Sequence, residues 1–140
     1  MNAPGRRWAC DTSVAIPAID PNHESHRACR DAVASRRPVL AGHAAIEAYA
    51  VLTRLPAPLR LSAAAARRVL DQAFGEPCWP AQATVLRLLG DLAATGIIGG
   101  ASFDALVATA ADGDGRTLLT RDHRAERTYR LLGAAYEIVD

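Results

Sequence analysis

Helix-like and strand-like segments alternate along the whole chain, and that alternation limits its folds more than any other feature. Trp8-Ala9-Cys10 is a short apolar run that breaks off into Asp11-Thr12-Ser13, as a buried strand does when it delivers polar side chains at its carboxyl end. Apolar positions Ala28, Cys29, Ala32 and Val33 then recur at helical spacing. They predict a helix from Asn22 or Ser25 to Ser35, entered through Asp20-Pro21-Asn22. Pro38 to Ala41 reads as a second strand, and His43 to Leu55 as a helix stopped by Pro56 and Pro58. Ser62 opens a helix to about Phe74 with Gly75 as its stop, Pro77-Cys78-Trp79 reads as a short third strand, and Ala81 to Thr95 as a helix ended by Gly96. Ser102 is placed to cap a helix from Phe103 to about Asp112. Gly113-Asp114-Gly115 turns into a strand over Thr117 to Thr120. A helix from Ala125 to Leu132 and a strand from Tyr136 to Val139 finish the pattern. The usual solution for such a series is a mainly parallel sheet with helices on both faces.

The totals agree with one α/β domain over residues 1–140, long enough to bury a real core. No stretch approaches the ~20 consecutive apolar residues of a membrane-spanning helix, and the basic start, Met1 to Arg7, lacks a signal-peptide core, so a cytoplasmic protein is expected. A net charge of +1 does not mark the whole chain as a nucleic-acid binder, so any such role must rest on local patches. Every basic side chain other than histidine is arginine, which suits bidentate contact with phosphate or carboxylate. Cys10, Cys29 and Cys78 are odd in number and far apart. They read as small buried hydrophobes rather than a disulfide framework or a zinc ribbon.

Four carboxylates stand beside apolar stretches: Asp11 after the first strand, Glu47 inside an alanine-rich helix, Asp104 in the first turn of its helix, and Asp122 after the Thr117–Thr120 strand. In an open parallel sheet, ligands bind at the carboxyl ends of the strands, where Asp11 and Asp122 both fall. Two carboxylates ~4 Å apart repel by about 4 kcal/mol at an effective dielectric of ~20, so a convergent set needs a cation or must take up protons. With the hydroxyls of Thr12, Ser13 and Thr120 nearby, the donors are hard oxygens, which favour Mg²⁺ or Mn²⁺ over zinc. Each acid also has an ordinary explanation. Asp104 suits a helix dipole, Asp11 and Asp122 suit helix caps, and Glu47 could pair with Arg54.

Other signals are weaker. Aligning Asp112-Gly113-Asp114-Gly115 with a calcium loop puts Ala110 and Arg121 at its end ligand positions, which rules that loop out. His23, His26 and Cys29 lack a fourth zinc ligand, and no GxSxG elbow presents a serine nucleophile. Arg121, Arg124, Arg127 and Arg130 form the densest basic cluster, beside Asp122; it reads equally as a solvated helix face or, at Arg121 and Arg124, as a contact for an RNA backbone.

With these residues in place, the chain resembles the PIN-domain nucleases, and within them the VapC-type toxins of bacterial toxin-antitoxin pairs. The resemblance runs nearly end to end. It is carried by Asp11-Thr12-Ser13-Val14, by Glu47 with Ala48 to Leu55, by Gly99 to Ala108 around Asp104, and by Leu118-Leu119-Thr120-Arg121-Asp122. It implies a three-layer α/β/α sandwich and a Mg²⁺- or Mn²⁺-dependent endoribonuclease. Asp11 and Asp104 would be the main metal ligands, Glu47 and Asp122 would complete the set directly or through water, and Thr12, Ser13 and Thr120 would support it. It further implies metal-activated water attack leaving a 5′-phosphate and a 3′-hydroxyl, a small VapB-like antitoxin that inserts a side chain into the acidic pocket, and a homodimer. Pro17 departs from the family pattern and is expected to interrupt the first helix, and Ala9 and Cys10 stand where bulkier aliphatic residues are usual. Two other functions use the same residues: a catalytically silent module that binds RNA or protein, and another metal-dependent phosphoesterase.

Overall fold

The structure, a computed structural model, describes residues 5–140. Four strands, β1 (Arg7–Cys10), β2 (Val39–Leu40), β3 (Arg116–Thr120) and β4 (Tyr136–Ile138), form one sheet in the order β2-β1-β3-β4. Every pairing is parallel. Cys10 lies opposite Leu40 on one side and Leu119 on the other, and Leu119 lies opposite Glu137. Parallel neighbours require crossovers, and here they are helical: α1 (Thr12–Ile19) and α2 (His26–Arg36) join β1 to β2. The second crossover holds α3 (His43–Arg54), α4 (Ala63–Phe74), α5 (Gln82–Thr95) and α6 (Ala101–Gly113), and the third is a 3₁₀ turn at His123–Ala125 leading into α7 (Glu126–Leu131).

The pleat divides the core into two. Trp8, Cys10 and Leu119 face one side, where Val14, Cys29, Leu52, Leu70 and Phe74 from α1 to α4 cover them. Ala9 and Leu118 face the other, against Val107, Ala108 and Ala111 of α6 and Tyr129 of α7. The expected three-layer α/β/α sandwich is therefore present. The small Ala9 lets α6, itself alanine-rich, lie close to the sheet, and Trp8 supplies bulk on the opposite face.

Three local expectations need correction. Pro17 does not interrupt the first helix, because α1 continues through it to Ile19 with the proline ring buried. In a helix of 8 residues, Pro17 removes only the bond it would have given to Ser13. Pro77-Cys78-Trp79 does not form a strand. The segment touches the sheet edge through a single bridge, Ala41 to Cys78, because the flanking prolines cannot donate to a ladder. Ser102 does not cap α6, which starts at Ala101, two residues before the expected Phe103, and has no side-chain cap.

Gly42 joins β2 to α3 at a positive φ of 50°, and a Cβ there would meet the Ala110 side chain at 3.0 Å. Its amide donates to the Cys78 carbonyl at 2.7 Å, so the turn is held from both sides. Gly42→Ala is therefore expected to lower stability by about 1–3 kcal/mol, from the left-handed backbone and the contact with α6 together. Chemical denaturation would read this as a shift in midpoint at constant slope.

Candidate active site

β1 and β3 deliver the site side by side. Beyond Cys10 the ladder ends with the Asp11 amide donating to the Leu119 carbonyl at 3.2 Å, and the chain turns at once into α1. Asp11 is the N-cap of that helix. Its Oδ1 accepts from the Ser13 amide at 3.1 Å and from the Ser13 hydroxyl. Its Oδ2 accepts from the hydroxyls of Thr120 and Tyr129, the latter at 2.8 Å. Asp11 is buried, and burial pushes its carboxyl above the usual range although all four of these bonds favour the ionised form.

Ser13 and Thr120 pass the network to β3. The Ser13 Oγ accepts from the Arg121 amide at 2.7 Å and lies 3.3 Å from Thr120 Oγ1, which in turn accepts from the Asp122 amide at 3.1 Å. Asp122 caps the 3₁₀ turn through Oδ1, which accepts from the Arg124 amide at 3.0 Å, with the Arg124 guanidinium 3.5 Å away. The Asp122 cap engages only Oδ1 and leaves Oδ2 for a ligand, whereas both Asp11 oxygens already accept from two donors each.

Glu47 projects from α3 and accepts from Thr12 Oγ1 at 3.1 Å, so its partner is the first residue of α1 and not Arg54. Asp104 sits in the first turn of α6. The starts of α3 and α6 are clamped by stacking of His43 on Phe103, with ring centroids 4.7 Å apart and planes 17° from parallel. One helical turn after His43 comes Glu47, and next to Phe103 comes Asp104, so this stack sets the spacing of two acids.

Asp11, Glu47, Asp104 and Asp122 line one open cavity of about 350 Å³, together with Thr12, Ser13 and Arg121. The Asp104 carboxyl is pushed up to about 6, first by burial and then by repulsion from Asp122, Asp11 and Glu47; the Arg124 charge eases it. Four acids thus repel across a shared space without enough cation to balance them. Among the described residues, no three histidine, cysteine or acidic side chains stand close enough to grip a metal ion by themselves. The three cysteines are free and buried, as expected.

Sequence reading missed Tyr129, the buried hydroxyl that fixes Asp11 from α7. Its only trace was a position on the inner face of the last helix, which any apolar residue could have filled. It also missed the His43–Phe103 stack, which joins residues 60 apart in the chain. His23, whose sequence neighbours offer no zinc site, lines the same cavity.

A PIN domain model matches residues 9–131, which spans the four acids, β2, β3 and the end of β1. The chain belongs to the PIN domain family. Within it, the chain is of the VapC type. It is 46% identical over 125 residues to Ribonuclease VapC27 of Mycobacterium tuberculosis, covering 89% of this chain and 91% of that one. It is 41% identical over 132 residues to Ribonuclease VapC40 of the same species, covering 94% of this chain and 98% of the relative. Among solved structures, the PIN domain fold seen here is similar to a chain in the crystal structure of VapBC2 from Rickettsia felis bound to a DNA fragment from their promoter. The TM-score is 0.67 at 16% identity, with 95% of this chain and 98% of that chain covered, a likeness of fold. No helix among the described residues is long and apolar enough to cross a membrane.

Proposed function

We propose that this protein, acting as one PIN-like domain over residues 1–140, is a divalent-metal-dependent endoribonuclease and the toxin of a VapBC-type pair. One observation carries the reading: Asp104, raised to about 6 by burial and three other carboxylates, stands in a cavity at the carboxyl ends of a parallel sheet. The relatives named as ribonucleases over nine-tenths of their length support RNA as the substrate.

The donor set fits Mg²⁺ or Mn²⁺. Mg²⁺ uses one or two carboxylates and keeps several waters, so it suits acids that share a cavity without closing on one point. Asp11, Asp104, Asp122 and Glu47 would hold it. When bound, the cation supplies charge neutralisation at a phosphodiester and a water of lowered pKa. The protein's own part is orientation. Ser13, Thr120 and Tyr129 fix the Asp11 oxygens, Thr12 fixes Glu47, and the exposed Arg124 guanidinium stands where an RNA backbone would approach. Hydrolysis by water would leave a 5′-phosphate and a 3′-hydroxyl.

Purified protein incubated with single-stranded RNA tests this. Cleavage is expected with Mg²⁺ or Mn²⁺, loss of cleavage in EDTA, and 5′-phosphorylated products. RNA left intact with both metals, together with RNA binding that survives EDTA, would replace the reading with a silent binding module. Preference for DNA or a phosphomonoester would replace it with another phosphoesterase. A VapB-like antitoxin and a homodimer belong to the same proposal. Growth arrest on expression, relieved by the adjacent small open reading frame, tests the first, and light scattering the second.

A further inference from the structure

Arg121 has a placement that the acidic centre does not explain. It lines the cavity, yet its guanidinium makes no ion pair or hydrogen bond among the described residues, and its Nε is buried without an acceptor. Only its backbone amide is engaged, by Ser13. The charge that eases Asp104 is that of Arg124. The charge of Arg121 is felt instead at the buried Cys29 thiol of α2. A buried guanidinium nitrogen without a partner costs free energy unless a ligand supplies the acceptor.

His23 also lines this cavity, from the turn between α1 and α2. The Ser25 amide donates to its Nδ1 at 3.0 Å, so in the neutral ring the proton sits on Nε2 and that nitrogen is a donor. The turn is firmly held. The His23 amide donates to the Asp20 carbonyl, the His26 amide to the His23 carbonyl, and the His26 ring joins the Pro17 carbonyl at 2.7 Å. The cavity that holds the four acids is thus also lined by Arg121 and His23, whose side-chain N–H groups have no acceptor among the described residues.

We infer that Arg121 and His23 form a phosphate clamp that holds a phosphodiester of single-stranded RNA beside the one that is cut, and so positions the strand over the four carboxylates. The inference rests on the ribonuclease reading above. Its chemistry follows from the charges: four carboxylates repel an RNA backbone, and a backbone phosphate gains a favourable place in the cavity only where donors of the opposite character stand apart from them. Arg121 suits such a contact because its planar fork matches two phosphate oxygens.

The test uses binding, which needs no cleavage. Fluorescent single-stranded RNA is titrated with Asp104→Asn protein at several salt concentrations, and each clamp variant is added to that background. Arg121→Gln is expected to weaken binding about tenfold and to make the dependence of log affinity on log salt shallower by about 0.7, the loss of one phosphate contact on a single strand. Arg121→Lys should restore the slope without the full affinity, which a misfolded variant would not do. His23→Ala should weaken binding about threefold, and His23→Gln, which keeps an N–H donor, should recover part of it. Affinities of Arg121→Gln and His23→Ala within twofold of the parent, with the salt slope of Arg121→Gln unchanged, would overturn the clamp, as would a parent that binds no RNA at low salt. Wild-type protein that binds RNA through these residues but never cuts it would instead overturn the ribonuclease reading and leave the clamp standing.

Discussion

Asp104→Asn is expected to abolish RNA cleavage, by a factor of about 1,000 or more, and at the same time to make the metal-free protein more stable. The loss of activity follows if Asp104 holds the cation, because an amide cannot replace the charge that offsets Mg²⁺. The gain in stability follows from the repulsion. A carboxyl raised from 3.8 to about 6 binds a proton in the folded state over a range where the unfolded chain has already lost it. Stability of the metal-free wild type therefore falls as pH rises from about 4 to about 6, and stays reduced above that. In a dry site the shift would correspond to about 3 kcal/mol, and screening of a half-buried group leaves about 1–2 kcal/mol. The substituted amide carries no charge, so the variant should melt about 4 °C higher in EDTA at pH 7.5, with the difference gone near pH 4. Mg²⁺ at tenfold its dissociation constant adds about 1.4 kcal/mol to the wild type, enough to narrow or reverse the order. A variant no more stable than wild type in EDTA would mean that the acids do not repel one another as described.

Asp11→Ala is also expected to remove cleavage, but with the opposite effect on stability, a loss of about 2–3 kcal/mol. Deleting this carboxylate strips the cap from α1 and leaves the Tyr129 hydroxyl, in a fully buried residue, without its acceptor. Removing a buried charge returns part of that cost, but the four donors gathered on this one carboxylate outweigh it. Urea unfolding of the two variants side by side separates their roles: both inactive, one above wild type and one below. Equal destabilisation by both would refute the division of labour between a hydrogen-bonded anchor, Asp11, and an unrelieved ligand, Asp104.

The layers of this fold were readable because its signals are local. Trp8-Ala9-Cys10 and Thr117–Thr120 are apolar runs bounded by polar residues, and six of the seven helices have the periodicity or stop residues that mark them. The exception, α1, is short and contains a proline, and only its cap at Asp11 and its buried face hold it in place. The supposed strand at Pro77–Trp79 failed for the converse reason: its composition suits an edge, but proline on either side leaves room for one bridge. At the site, the motif around each acid was legible and its surroundings were not. That Asp122 caps a turn while lining the cavity could be expected from its position after a strand. That a tyrosine from α7 reaches Asp11 across 118 positions could not, because nothing in the local pattern around Tyr129 distinguishes it from core.

Four peptide groups around the cavity, those of Ser13, Arg121, Asp122 and Arg124, donate to side-chain oxygens of Asp11, Ser13, Thr120 and Asp122 and not to the sheet ladder or a helix. The lip of the cavity is thus knit by the residues that give it its chemistry. Opening of this lip and disordering of its carboxylates are a single local event, which can occur while the strands beneath stay paired. An ion that gathers the acids would for that reason also slow the fraying of the backbone that carries them.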